Sequence, residues 1–199
     1  MAATKMNNLT GKEWLQNSFT IWRDIRKSKD EAKLKHPAMF PQSLVEKLID
    51  IYTKDPGEVI LDPFLGSGSS IIAAMNKGKK GIGVELSEEY IELAEGRINN
   101  LQLDLLNNEE LITPEIIHDD AKNIGKHLKP ETVDLVVTSP PYWDILNMRR
   151  TADNKEIRNY SEKATDIGNI NEYDSFLQSL KEIYSEVYKV LKPNKRCVC

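Results

Sequence analysis

Residues 58–85 constrain the fold more than any other part of this sequence. The apolar run at residues 58–62 predicts a short buried strand, and Gly66 and Gly68 then predict a tight turn. An apolar run of helical spacing follows, and a second strand is predicted at residues 81–85. A strand, a helix and a second strand joined by short connections form one unit of a parallel sheet.

The same alternation continues along the chain. Strands are predicted at residues 58–62, 81–85, 115–118 and 132–138, and helices at 13–27, 42–53, 68–77, 87–105 and 121–127. Ser87 is the expected N-cap of the helix at 87–105. A last amphipathic helix carries Phe176, Ile183 and Val187 and stops at Lys192-Pro193. The pattern predicts an α/β fold with a doubly wound, mostly parallel sheet.

The glycine turn has the features of a ligand site. Gly66 and Gly68 permit positive φ and a close approach to a ligand. Glu85 ends the next strand about 23 residues after Asp62, where an acid accepts both hydroxyls of a ribose. Ile71 stands where a dinucleotide fingerprint has its third glycine, and Asp62 would repel a pyrophosphate. The charge pattern therefore favours S-adenosylmethionine over NAD.

A second motif, Ser139-Pro140-Pro141-Tyr142, follows the strand at 132–138. Each proline fixes its own φ, lacks an N–H and makes the residue before it extended. The result is a stiff segment with carbonyl groups of fixed direction, one hydroxyl and one aromatic face. It suits a planar heterocycle that carries an exocyclic amine. A proline-rich turn leaving a strand is the alternative.

Taken together, these motifs resemble those of the amino-methyltransferases of DNA, which methylate cytosine N4 or adenine N6. The resemblance is carried by residues 62–68, residues 139–142 and a third element at residues 36–41. Their order is similar to that of family members in which the target-recognition region follows the catalytic part. The resemblance covers roughly residues 14–193. It implies a Rossmann-like methyltransferase fold that uses S-adenosylmethionine.

The resemblance also implies roles for single residues. Ser139 and the Pro140 carbonyl would accept the amine hydrogens, and Tyr142 would stack on a base flipped out of double-stranded DNA. Asp120, with Asp119 as the alternative, would meet the adenine amine of the cofactor, and a helix N-cap is the other reading of either residue. The expected catalytic residues are Ser139, Pro140, Pro141 and Tyr142, and the expected cofactor-binding residues are His36, Phe40, Pro41, Asp62, Pro63, Phe64, Gly66, Ser67, Gly68, Glu85 and Asp120. Asp62 would face the ammonium group or order the glycine turn.

A basic segment follows the Pro-Pro loop. Arg149, Arg150 and Arg158 are expected to contact DNA phosphates, and Trp143 to extend the base stack. A solvated loop is the alternative for the arginines, and a core aromatic for Trp143. The loop at 144–170 is too long for a simple connection and is expected to be a functional loop or lid.

Ser139 bears on the target base. Members of the resembled family with Ser before Pro-Pro are mostly cytosine-N4 enzymes, whereas Asp or Asn usually marks adenine-N6 enzymes. Cytosine N4 is therefore the favoured target and adenine N6 the first alternative. An RNA base methyltransferase and a non-catalytic, cofactor-binding subunit are further alternatives.

Composition adds few constraints. A chain of 199 residues is expected to fold as one catalytic domain, at 36–199, after an N-terminal helical extension at 1–35. Neither a membrane-spanning stretch nor a signal peptide is evident, and a cytoplasmic location is expected. Cys197 and Cys199 lack partners for a metal site, so no metal is expected. The net charge of −4 does not indicate nucleic-acid binding, although a basic surface can be local.

The carboxyl end of the sequence predicts an incomplete sheet. Residues 196–199 have the pattern of the first residues of a fifth strand, and the resembled family continues with further strands and a target-recognition region. The strand at 132–138 would then be an open edge. A truncated chain, or one half of a split enzyme completed by a second chain, is expected.

Overall fold

In a computed structural model, residues 5–34, 39–105, 112–143 and 166–199 are described. The α-helices of this part are α1 (Gly11–Asn17), α2 (Gln42–Tyr52), α3 (Ser69–Asn76), α4 (Glu88–Leu105), α5 (Ile124–His127) and α6 (Tyr173–Val190). The strands are β1 (Val59–Asp62), β2 (Lys80–Glu85), β3 (Glu115–His118), β4 (Val133–Val137) and β5 (Leu191–Val198). Short 3-10 turns span Glu31–Lys33, Ala121–Asn123 and Ile167–Asn169.

The five strands form one sheet in the order β3-β2-β1-β4-β5, and every neighbouring pair is parallel. The order reverses between β1 and β4, which lie side by side although far apart in sequence. In open α/β sheets, ligands bind at the carboxyl ends of the strands beside such a reversal. The topology therefore indicates where to look for a site, and the predicted Rossmann-like, doubly wound sheet is confirmed.

Both faces of the sheet are covered, as alternating side-chain direction requires. Leu61 and Val136 pack on one face with residues of α5 and α6. Ile60 and Leu135, their neighbours in sequence, pack on the other face with α2 and α3. A third cluster joins α3 to α4. The inner strands β1 and β4 are therefore mostly buried apolar residues.

The predicted helix at 13–27 is wrong in extent. Helix α1 starts with a capping box, in which Thr10 and Glu13 satisfy each other's backbone amides, and it ends at Asn17. Beyond it the chain leaves helical geometry because tertiary contacts override the local pattern. The Trp22 side chain packs against the cluster that contains α2, and the Arg26 amide donates to Ser43 Oγ at 3.2 Å.

The prediction that β4 is an open edge is also wrong. Strand β5 begins at Leu191, earlier than the predicted strand at 196–199, and pairs with β4 from Val133 to Val137. Asn194 of β5, with a φ of +62°, lies within an irregularity in that pairing, between the partners of Val133 and Leu135. Strand β5 thus forms the border of the described sheet.

The other elements fall close to their predicted positions. The helix predicted at 121–127 is a 3-10 turn followed by α5. The division into an extension at 1–35 and a domain at 36–199 stays a prediction. Glu31 of the extension is buried and accepts hydrogen bonds from the Gln42 amide at 2.8 Å and Ser69 Oγ at 3.5 Å. None of the described helices is both long enough and apolar enough to cross a membrane.

Candidate active site

A pocket opens at the carboxyl ends of the strands, beside the β1–β4 reversal. It encloses about 830 Å³, including its open mouth, a size in the range of small-molecule sites. Nine predicted site residues line it: Phe40, Pro63, Phe64, Gly66, Ser67, Glu85, Asp120, Ser139 and Pro141. The fold thus brings the glycine turn, the acid at the end of β2 and the Pro-Pro loop to one cavity.

The glycine turn between β1 and α3 depends on left-handed backbone geometry. Gly66 has a φ of +53° and Gly68 a φ of +82°. A Cβ on Gly68 would lie 2.9 Å from the Ala94 Cβ of α4. Only glycine meets both conditions at residue 68, because a side chain there would add strain and a clash. The turn therefore lets α3 start close to α4 and leaves its first amides beside the pocket.

Asp62, the last residue of β1, orders this turn from below. Its side chain is only 1% exposed and does not line the pocket. The carboxylate accepts hydrogen bonds from Ser70 Oγ at 2.6 Å, Thr138 Oγ1 at 2.7 Å and the Phe64 amide at 3.1 Å. Burial raises its pKa, against the lowering effect of those bonds. Of the two roles predicted for Asp62, this geometry favours ordering the turn.

Glu85 lies at the pocket wall at the end of β2. One carboxylate oxygen accepts from the Gly66 amide at 2.7 Å, and the other accepts from the amides of Leu86 at 2.9 Å and Ser87 at 2.8 Å. Burial raises its pKa, although the three amides favour the charged form. These bonds fix the carboxylate, which has lone pairs left for hydroxyl donors.

Two acidic residues follow β3, and both line the pocket. Asp119 accepts from His127 Nε2 at 2.7 Å and Asn123 Nδ2 at 2.8 Å. The His127 contact is the main cause of its pKa falling to about 2. Asp120 accepts from the Lys122 amide at 2.9 Å through Oδ1 and so caps the 3-10 turn. The side chains of His127 and Asn123 thus hold Asp119, whereas Asp120 both caps the 3-10 turn and lines the pocket.

The Pro-Pro loop leaves β4 at the mouth of the pocket. Ser139 and Pro141 line the cavity, whereas Pro140 and Tyr142 stand beside these lining residues in sequence. Ser139 Oγ lies 3.3 Å from the Tyr142 hydroxyl. The Tyr142 side chain is 48% exposed, so that its ring is accessible from solvent. The loop therefore presents a hydroxyl and an aromatic ring next to each other.

Trp143 turns back toward the protein at the end of this loop. Its φ is +36°, and its ring packs edge-on against Tyr173, with the centroids 4.9 Å apart. It also contacts the core cluster beneath α6. This placement favours the alternative of a packing aromatic for Trp143.

Several predicted residues lie elsewhere. Pro41 stands immediately before α2 and Gly68 before α3, and neither lines the pocket. Outside the described residues lie His36, Arg149, Arg150 and Arg158, together with most of the predicted loop at 144–170.

The structure also identifies residues that the motifs did not indicate. Met39, Leu65, Tyr90, Ile167 and Ile183 add apolar walls to the pocket, and Asp166 adds a buried carboxylate. Arg97 of α4 donates to the Ser67 carbonyl and lies 3.3 Å from Ser69 Oγ. Met39 and Leu65 lie within two of the motifs but had no predicted role, whereas the other residues come from helices and turns distant from the motifs in sequence.

Part of the chain is similar in sequence to known DNA methylases. Residues 2–96 match the family model described as DNA methylase, which covers the N6 and N4 methyltransferases. Over these residues the chain is similar to the N6/N4 DNA methylases. It is 43% identical over 63 residues to type II methyltransferase M.ScaI from Streptomyces caespitosus and 36% identical over 86 residues to orphan methyltransferase M.BamHII from Bacillus amyloliquefaciens.

These alignments are partial. They cover 32% and 41% of this chain, and 20% and 32% of the two relatives. The chain thus matches a third or less of the length of these two methyltransferases. Among solved structures, it is similar to an S-adenosylmethionine-dependent methyltransferase from Methanosarcina mazei, with a TM-score of 0.46 and 19% identity over 72% of this chain and 51% of that one.

Proposed function

We propose that this chain binds S-adenosylmethionine and forms the catalytic part of an enzyme that methylates the exocyclic amine of a flipped base in DNA, with cytosine N4 as the favoured target. The observation that carries the proposal is the single pocket shared by the glycine turn, Glu85 and the Ser139 loop. A cofactor that donates a group and a base that accepts it must meet in one cavity.

The residues that line the pocket suit the cofactor. The Glu85 carboxylate, fixed by three backbone amides, suits the two hydroxyls of a ribose. Asp120 stands at the end of the neighbouring strand, where the adenine amine would be met. Phe40 and Phe64 supply apolar walls, and Gly66 and Ser67 would follow the methionine part. The pocket's carboxylates favour a cationic ligand over a pyrophosphate.

The loop residues would act on the amine of the target base. When bound, the cofactor supplies an electrophilic methyl group on a sulfonium. Ser139 Oγ and the Pro140 carbonyl would accept the two amine hydrogens, which favours a pyramidal nitrogen with its lone pair available for attack. Neither proline has an N–H that could compete for these acceptors. Tyr142 would hold the base by stacking. The nitrogen releases its proton to solvent after transfer.

The first test is cofactor binding by equilibrium dialysis with labelled S-adenosylmethionine. We expect Glu85→Gln to weaken binding about tenfold or more, because an amide accepts fewer and weaker hydrogen bonds than a carboxylate. Glu88→Gln is the matched control, since Glu88 is exposed in the first turn of α4 and does not line the pocket. Equal binding by both variants would contradict the assignment of Glu85.

The second test is nucleoside mass spectrometry on unmethylated DNA incubated with this chain and the cofactor. A 4-methylcytosine product, lost in Ser139→Ala, is the expected result. A 6-methyladenine product would retain the reaction class and overturn the inference from Ser139. Cofactor binding without any methylated nucleoside, even after a full-length homologue or partner chain supplies a carboxyl-terminal part, would instead support the non-catalytic alternative.

A further inference from the structure

Thr138 is the last residue before the Pro-Pro loop, and it is held from two sides. Its amide donates to the Val198 carbonyl of β5 at 3.0 Å, and its Oγ1 donates to Asp62 Oδ1 at 2.7 Å. Its side chain is 5% exposed. The two following prolines have no amide hydrogen. The hydrogen bonds at Thr138 therefore anchor the chain close to the point where the loop leaves β4.

The acceptor of that hydroxyl belongs to the glycine turn. Asp62 Oδ1 also accepts from the Phe64 amide inside the turn, and Asp62 Oδ2 accepts from Ser70 Oγ in the first turn of α3. One buried carboxylate thus bonds to the turn, to the helix after it and to the residue before Ser139. A carboxylate with three donors at fixed positions is a rigid connector, because moving any donor leaves a buried charge less well satisfied.

We propose that Thr138 is a positioning residue that acts through Asp62 and fixes the Pro-Pro loop relative to the cofactor turn. The proposal rests on the proposed function for its consequence, which is a constant separation between methyl donor and target amine. Reaction rates are sensitive to misplacements of this order. The hydroxyl of Thr138 touches neither ligand, so its effect reaches the reaction only through the position of Ser139.

The test is hydrogen exchange measured by mass spectrometry on the full chain, following peptides that span residues 62–72 and 133–143. Thr138→Val keeps the side-chain shape and removes the donor. We expect exchange to rise about tenfold in both peptides, the change that corresponds to the loss of one net hydrogen bond. Thr138→Ser retains the hydroxyl and should restore exchange to the wild-type rate in both.

Two further variants keep the test decisive. Ser70→Ala removes a different donor to Asp62 and should raise exchange in the 133–143 peptide, although Ser70 lies in the other segment. Thr132→Val is the control: Thr132 Oγ1 donates to the Lys129 carbonyl at 2.8 Å, at the far end of β4. This variant should leave the exchange rates of both peptides unchanged.

The outcomes separate this inference from the proposed function. The positioning role would be overturned if Thr138→Val raised exchange only in the 133–143 peptide. It would also be overturned if Thr138→Ser behaved like Thr138→Val. Labelled S-adenosylmethionine is dialysed against the same samples. Failure of the wild-type chain to bind it would reject the proposed function, whereas the coupling between the two peptides would still stand or fall on the exchange data.

Discussion

Asp62 and Asp134 lie on adjacent strands, β1 and β4, but at opposite ends of the sheet. Both are almost fully buried, with 1% and 4% of their surface exposed. Burial acts to raise the pKa of both carboxyl groups. At Asp62 the bonds from two hydroxyls and one amide do not outweigh this effect, and the pKa is raised. At Asp134 the bonds from Lys192, Val59 and Lys195 do outweigh it, and its pKa is lowered.

The difference between the two aspartates lies in the partners that each end of the sheet supplies. At the amino-terminal end, Lys195 bridges Asp134 at 3.1 Å and Glu58 at 2.6 Å, and Lys79 also contacts Glu58. These lysines offset the charge of the carboxylates, and Lys195 also links β5 to β4 through Asp134. At the pocket end, two neutral hydroxyls and one amide bond to Asp62, and no cation pairs with it among the described residues.

The largest effect is expected from glycine substitution at the two ends. Gly68→Ala introduces positive-φ strain and a contact of 2.9 Å with Ala94, and it should lower the free energy of unfolding by about 3 kcal/mol. Gly57→Ala is the matched control, because Gly57 has a φ of +74° with open space around it; its cost should be about 1 kcal/mol. Urea denaturation measures both. Equal losses would mean that crowding at the glycine turn has no influence on stability.

Asp134→Asn should have the next largest effect. It leaves two lysines without their buried partner and should cost about 2 kcal/mol at neutral pH. Because the folded pKa lies below the unfolded value, the contribution of Asp134 is complete above pH 4 or so and is lost as pH falls through the folded pKa. Wild type and variant should therefore converge in acid. A difference that is independent of pH would contradict the ion-pair account.

Asp62→Asn should cost less, about 1 kcal/mol, since its partners are neutral and an amide can still bond to hydroxyls. The pH dependence should have the opposite sign. With a folded pKa above the unfolded value, the wild type loses stability as pH rises from the unfolded toward the folded pKa. Relative to the wild type, the variant should become more stable over that window. Unfolding curves across a pH series measure the stability difference between variant and wild type. A difference that falls for the variant as pH rises through this window would contradict the raised pKa of Asp62.

The smallest effect is expected from Lys192→Met, which removes one of the two lysines on Asp134. Lys192 Nζ lies 2.7 Å from Asp134 and its side chain is 39% exposed, so the loss should be about 0.5 kcal/mol and smaller at high salt. Lys33→Met provides the control, because its partner Asp30 is 91% exposed. It should show no measurable change. Unfolding at two salt concentrations distinguishes the variants.

Much of the sheet was predictable because its strands are local and apolar. The run before Asp62 and the run before Thr138 are bounded by turn residues, and their positions were predicted within one residue of β1 and β4. The predicted extent of the helix at 13–27 was wrong because Trp22 and Arg26 contact the α2 region, and the helix ends at Asn17. Its apolar spacing was real, but tertiary packing used it differently.

The sequence by itself determined the glycine turn, the Pro-Pro loop and the acid at Glu85, since each is a short motif whose geometry follows from its own residues. Only the tertiary structure decided which carboxylates are available to a ligand. Asp62 is taken by Ser70 and Thr138, the latter 76 positions away in sequence. Strand β5 likewise covers β4 only in the folded chain. Hydrogen bonds between distant residues depend on strand order, which local patterns do not encode.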